Sequence, residues 1–371
     1  MAQQHVYFAP SLSLAGARDD NLFYTAESRQ SDVISRLTPG FETGGRWERL
    51  SVAGRWALDL ERFAEHTELD TNRAREAASF DFGSRLSRPL TFSLHGEYLS
   101  TLTPGELNLA TGLSAGRSRA RRSSARPSLD WKLGATTVAS VAYTRTKDDL
   151  ASGVATQTHT SALSLEHHLS PRTSATTGYS FSRYLFEESA PIDVHTLTVG
   201  WERRFGPKSS FALSGGPRYS NGRFDPEASL SLQRSAGTVD TSLTLSRSLS
   251  TVIGQAGTFV TDSALAGLSY RPVTSLRFGV SPGVYSIKDP AGGPETRVYV
   301  AGLEMSWRIS DWLALESLYR RNLQRGILVS AAPGGGGVHE IARDTFYLGL
   351  VAGRKDAGAA AAAGRSPGGK P

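Results

Sequence analysis

Three sets of side chains in this chain have types and spacings that could do chemistry. The first is Gly112-Leu113-Ser114-Ala115-Gly116, which fits the G-x-S-x-G frame of a serine nucleophile. That frame works only where a strand enters the serine and a helix leaves it. Here a stretch containing Pro104 precedes it and a basic Ser-Arg stretch follows, so the match is expected to be a coincidence. The second is His167-His168, which could suggest a metal ligand pair. Neighbouring residues of a strand point to opposite faces, so the two rings cannot close on one ion. His159 and His195 have no ligand-like spacing either. No catalytic residue, no metal site and no cofactor is expected.

The third set is a broad scatter of charges that share one strand parity: Arg55, Asp59, Glu61, Asp81, Arg85, Glu97, Arg122, Arg126, Asp130, Glu166, Glu202, Arg218, Arg277, Glu304, Arg308, Glu316, Arg320 and Arg343. Paired carboxylates could suit a glycosidase. These are spread over many segments with arginines at similar depth, which fits a cross-strand ionic network better. A dry core could not take so many charges. They are therefore expected to line a water-filled or loop-plugged lumen. One basic cluster, Arg117, Arg119, Arg121, Arg122 and Arg126, stands apart. It reads either as a contact for an anionic polymer or lipid head groups, or as a solvated rim or lumen wall.

The elements that must position these side chains are strands. The run Arg49 to Glu61 sets the pattern: Leu50, Val52, Trp56, Leu58 and Leu60 share one parity, and Arg55, Asp59 and Glu61 the other. A strand sorts residues this way and a helix of period 3.6 does not. Its length suits the roughly 9–11 residues of a tilted strand crossing a bilayer. Similar oily parity recurs at Leu90-Phe92-Leu94-Tyr98, Leu129-Trp131-Leu133, Leu197-Val199-Trp201, Leu276-Phe278-Val280-Val284, Tyr299-Leu303-Met305-Trp307 and Phe346-Leu348-Leu350.

Short turns are expected at Gly44-Gly45, Arg88-Pro89, Gly134-Ala135, Ser170-Pro171-Arg172, Gly206-Pro207, Ala236-Gly237, Arg271-Pro272 and Ser310-Asp311. Longer connections are expected after His5 to Gly16 and near Glu65 to Thr71, Thr103 to Arg117, Asp148 to Val154, Glu187 to Pro191, Ser220 to Asp225, Thr251 to Gly257, Asp289 to Pro294 and Val329 to Gly337. Short turns on one rim and longer loops on the other are the habit of outer-membrane barrels. The fold expected is all-β: a transmembrane antiparallel up-and-down barrel of about 18 strands, with 16 as the other count. It would occupy residues 1–353, and 354–371 would be a disordered tail rich in Ala, Gly and Pro.

Composition agrees. There is no Cys, which excludes disulfides and thiol chemistry, and the mean hydropathy is −0.28. A soluble-looking mean is what alternation of apolar-out and polar-in produces. No apolar run is long enough for a membrane-spanning helix. The net charge is +6, but it is dispersed, so no nucleic-acid partner is expected. Met1-Ala2-Gln3-Gln4-His5 leads straight into the first alternation. A barrel in the outer membrane of a Gram-negative bacterium must be exported, so a leader peptide is expected to be missing from this sequence.

Two stretches carry a family resemblance. Asp19, Asp20, Asn21, Ser31, Asp32, Ile34, Arg36, Pro39 and Gly40, together with Ile309 to Asn322 near the C-terminus, resemble the outer-membrane β-barrel family of exopolysaccharide and exosortase-associated loci. The nearest likeness there is to the integral barrels of Wzx/Wzy-type polysaccharide export. The resemblance implies a non-enzymatic conduit that exports a secreted polysaccharide as its cargo. It also implies a periplasmic polysaccharide-export protein as partner, with outer-membrane lipid and lipopolysaccharide around the wall. The alternatives are a general diffusion porin or a structural outer-membrane barrel, and, from another class, an outer-membrane hydrolase.

Overall fold

The computed structural model describes residues 5–151, 153–187, 189–290, 292, 295–326 and 339–353. Its strands, in chain order, are β1 His5–Asp19, β2 Asp32–Arg46, β3 Leu50–Phe63, β4 Thr71–Arg85, β5 Leu90–Thr101, β6 Ala120–Lys132, β7 Thr137–Leu150, β8 Thr156–Ser170 and β9 Thr173–Phe186. The second half has β10 Ser189–Arg204, β11 Ser209–Ser220, β12 Arg223–Ala236, β13 Val239–Ser250, β14 Phe259–Val273, β15 Leu276–Lys288, β16 Thr296–Arg308, β17 Leu313–Gly326 and β18 His339–Gly353. Each strand pairs antiparallel with its chain neighbours, and β1 pairs with β18 from Ser11–Gly353 to Asp19–Thr345. The 18-stranded sheet is thus closed. Closure removes the exposed edges that an open sheet would present to lipid. The count is 18, not 16.

The two faces of the wall differ as the alternation requires. Registered rows such as Leu129–Val141–Leu163–Tyr179–Leu197 run across β6 to β10. Their apolar side chains point away from the barrel axis and are exposed, Leu163 by 54% and Val141 by 53%. In lipid that exposed apolar face is solvated by hydrocarbon. On the opposite parity the inner face is polar, and its accessibility changes along the strands. Near the short turns it is open: Arg55, Arg126, Glu304 and Arg308 are exposed. Near the long loops it is covered: Asp19, Glu61, Thr101, Asp148, Ile287 and Val298 are all buried.

Turn positions are corrected in four places. Gly44 and Gly45 lie inside β2, and the turn falls at 47–49. Both glycines lie close under aromatic rings, Gly44 by Tyr7 and Gly45 by Trp47, where a Cβ would collide. Arg271-Pro272 lies inside β14, where the register with β15 shifts between Tyr270 and Val273. Proline cannot donate to the ladder, so a bulge accommodates it. Asn221-Gly222, expected within a longer loop, is a two-residue turn with φ of 49° and 76°. Both residues are left-handed, as a type I′ hairpin requires. The connection after β9 is also short, because β10 starts at Ser189. The connection expected at Val329 to Gly337 and the tail at 354–371 lie outside the described residues.

Candidate functional site

The site is built where three long loops fold into the bore and meet. The loop between β5 and β6, residues 102–119, starts with a 3-10 turn at Pro104–Glu106. Two apolar residues then take it inward. Leu107 packs against Ala120 and against Ile253 from the β13–β14 loop. Leu113 reaches the wall near β15 and β16, among Val252, Phe259, Tyr285, Ile287 and Val298. Gly112 makes this crossing sterically feasible. Its φ is 66°, and a Cβ there would sit 2.5 Å from a Tyr285 ring carbon.

Hydrogen bonds then fix the crossing. Ile253 N donates to Asn108 Oδ1 at 3.0 Å. From β17, Asn322 Nδ2 donates to the Gly112 carbonyl at 3.2 Å and Gln324 Nε2 to the Ser114 carbonyl at 3.3 Å. The β1–β2 loop joins from the same side: Tyr24 donates its phenol to Asn322 Oδ1 at 2.6 Å. Burial pushes the Tyr24 phenol well above its ordinary pKa of 10.0, because a phenolate would lose its hydration there. The loop after β7 closes the ring of contacts, with Val154 N donating to Gly254 O at 3.1 Å.

The far end of loop 102–119 is held by charge. Glu61 on β3, 3% exposed, accepts from Arg36 at 2.6 Å and from Arg117 at 2.5 Å. The Arg117 guanidinium also lies over the Phe63 ring, 4.7 Å from its centroid. Arg75 reaches Glu106 at the start of the same loop at 2.9 Å. A buried carboxylate shared by two guanidiniums has its charge and lone pairs met within the protein.

The registers place all the charged wall residues expected from sequence on the inward parity. They do not converge on one spot. Asp59, Glu61, Arg122, Arg218 and Arg343 belong to the loop-covered half. There Asp59 accepts from Thr38 at 2.8 Å, Arg122 makes a two-pronged pair with Asp148 at 2.6 and 2.7 Å, and Arg343 does the same with Asp19.

Arg218 is fully buried, 3.6 Å from Asp225 and 3.8 Å from Glu227, and its guanidinium nitrogens make no hydrogen bond. The others spread over the middle and the short-turn half. Arg55 pairs with Glu42 at 3.1 Å, Asp81 and Glu97 share His95 at 2.7 and 2.9 Å, and Glu202 lies 3.3 Å from Arg204. Asp130 accepts from Ser140 at 2.5 Å, Glu166 lies 3.8 Å from His168, and Arg277 donates to Ser269 at 2.8 Å. Arg85, Arg126, Glu304, Arg308, Glu316 and Arg320 complete that wall without assembling around a common point.

The basic cluster is not one surface. Arg117 turns into the bore, Arg122 and Arg126 face inward, and Arg119 and Arg121 face outward, with Arg119 donating to Ser100 at 3.4 Å. Ser114 lies mid-loop, with no helix after it. His167 and His168 stand on opposite faces of β8, His167 bonded to Thr137 and His168 beside Glu166. Tyr24, Asn108, Asn322 and Gln324 were not singled out by sequence reasoning. Asn322 and Gln324 do continue the inward parity of Glu316 and Arg320, which was the available signal.

No family model matches the chain, and no curated protein matches it. Among solved structures it is similar to the outer membrane protein opdK from Pseudomonas aeruginosa, at 10% identity over 94% of this chain and 99% of that one, with a TM-score of 0.50. OpdQ of the same organism matches at 10% identity over 94% and 97%, TM-score 0.49. The siderophore receptor PirA, also from P. aeruginosa, matches at 9% identity over 93% and 80%, TM-score 0.46. The likeness to opdK overturns the expected conduit for a secreted polysaccharide, because it runs to an outer-membrane barrel of another description. The bore gives a physical reason for the same correction. Opposite walls are hydrogen-bonded together across it through loops 102–119 and 251–258, and a threading polymer would have to break those contacts. At this identity the likeness to opdK is one of fold, that of an outer-membrane barrel.

Proposed function

We propose that this barrel is a diffusion porin that lets small polar solutes cross the outer membrane, not an enzyme. One observation carries the reading. A closed 18-stranded wall encloses a charged inner face that is open in its short-turn half and crossed by packed loops in its other half. Barrels of 16–18 strands are wide enough for an aqueous channel. Loops tied across such a channel set a size limit on what passes, and the charged wall keeps the solute path wet.

The test is conductance in planar bilayers, comparing the wild type with a variant in which residues 105–116 are replaced by a short Gly-Ser linker. Discrete small openings are expected for the wild type and larger ones for the variant. A wild type and a variant that are both silent, in protein that has folded, would mean a sealed structural barrel and would refute the porin reading.

A further inference from the structure

On the outward face, beyond the apolar band, cations and carboxylates are unevenly matched around the circumference. Over most of it the outward cations near the long-loop rim meet an acid, Arg18 on β1 standing singly without one among the described residues. Arg183 pairs with Asp193 at 2.6 Å, Arg247 with Asp262 at 3.0 Å, Arg325 with Glu340 at 2.6 Å and Arg321 with Asp344 at 3.6 Å. Glu295 serves both Arg297 and Lys288, and with hydrogen bonds from Arg297 and Ser286 its carboxyl falls to about 2.

The arc from β5 to β7 differs. Arg119 stands just before β6, and Arg121, Arg145 and Lys147 point outward from β6 and β7. Lys147 has Asp149 at 3.4 Å. Among the described residues, Arg119, Arg121 and Arg145 have no carboxylate within ion-pair distance. Burial and the like charges of Arg121 and Arg117 hold the Arg119 guanidinium below its ordinary value. Like charges held close without an acid favour an anion from outside.

Height says which anion. Val141 and Tyr143 are exposed on β7 in the apolar band, and Arg145 stands two residues beyond Tyr143, about 7 Å along the strand. Lys147 and then Arg121, opposite Asp149 in register, continue the line toward the loops. A column of cations starting at the aromatic edge of the band lies at the depth of lipid head groups. Their spread along the strand suits a head group with more than one phosphate, and phosphate is the anion that guanidinium geometry fits best.

We infer that the outward face of β5–β7, with Arg119, Arg121, Arg145 and Lys147, binds the phosphates of an outer-leaflet glycolipid, the lipopolysaccharide of a Gram-negative outer membrane. The site rests on the membrane placement of the barrel and not on the porin reading, so either can fail alone.

The test is native mass spectrometry of the full chain in detergent with bis-phosphorylated lipid A. The wild type is compared with R121Q/R145Q and with R297Q/R325Q, which removes two acid-paired cations elsewhere on the circumference. Each exposed cation facing an anionic lipid contributes about 1 kcal/mol, so R121Q/R145Q should bind roughly 30-fold more weakly. R297Q/R325Q should stay within a few-fold of the wild type.

A second measurement uses the wild type alone, so the outcome does not hang on one variant folding. Dephosphorylated lipid A should fail to bind, and inorganic phosphate at equal concentration should neither bind nor displace the lipid. Equal binding by R121Q/R145Q, equal binding of the dephosphorylated lipid, or displacement by inorganic phosphate would each overturn the proposal.

Discussion

Tyr24 is a single phenol on which the occlusion of the bore turns. It is buried, donates to Asn322 at 2.6 Å, and through Asn322 is linked to the Gly112 carbonyl of the crossing loop. Its folded pKa lies above the ordinary 10.0. The folded state therefore keeps a proton that an exposed phenol would release. The stabilisation is fully present below pH 10.0 and is lost as pH rises beyond it toward the folded value. Ionisation would leave a phenolate facing an amide oxygen, a repulsive pair. Conductance of the wild type should therefore rise only when the pH is taken well above 10.0, toward the folded value, and Tyr24→Phe, which cannot ionise, should show no such step. An identical alkaline step in both proteins would remove Tyr24 from the account.

At the scale of elements, the strands were legible and the inward loops were not. Leu50, Val52, Trp56, Leu58 and Leu60 against Arg55, Asp59 and Glu61 separate oil from water at every second residue, and the observed β3 follows that separation from Leu50 to Phe63. Loop 102–119 has no period to read. Its buried leucines, Leu107 and Leu113, are too few to mark a face, and their partners are remote in sequence: Ile253 of the β13–β14 loop for Leu107, and the β15 and β16 wall for Leu113. Asn221-Gly222 was legible in principle, since this dipeptide is the strongest short hairpin signal.

The same loop makes a testable element. It is fastened to β3 by Glu61, which faces both Arg36 and Arg117. Glu61→Ala would leave Arg36 with Asp59 alone, 3.8 Å away, and Arg117 in a covered site with no carboxylate among the described residues, a loss of about 3–5 kcal/mol where a buried pair is broken from one side. The expected result is release of the loop, read as trypsin cleavage after Arg117 or Arg119 in a barrel that still runs as a folded species on unheated gels. Full protection of those bonds in the variant would show that apolar packing at Leu107 and Leu113 holds the loop without the ion pair.

For the whole molecule, what matters is how charge is divided between the two sides of the wall. The formal charge is +6, yet the inward residues expected from sequence comprise nine arginines and nine carboxylates. Many are matched at close range, as in Arg55–Glu42, Arg122–Asp148 and the His95 bridge between Asp81 and Glu97. A wall of alternating sign produces little net field along the axis, and at about 0.1 M salt the remainder is screened within about 10 Å. A porin built this way should discriminate weakly between potassium and chloride. Under a tenfold KCl gradient its reversal potential should lie close to zero. Glu304→Gln with Glu316→Gln removes two carboxylates from the β16–β17 wall, where Arg277, Arg308 and Arg320 also face inward. That change should move the reversal potential toward chloride, and further at low salt than at high salt, because field focusing weakens as ions screen it. A strongly cation-selective wild type would mean that the inner wall does not set the ion path, and a double variant with unchanged selectivity would place that path away from β16 and β17.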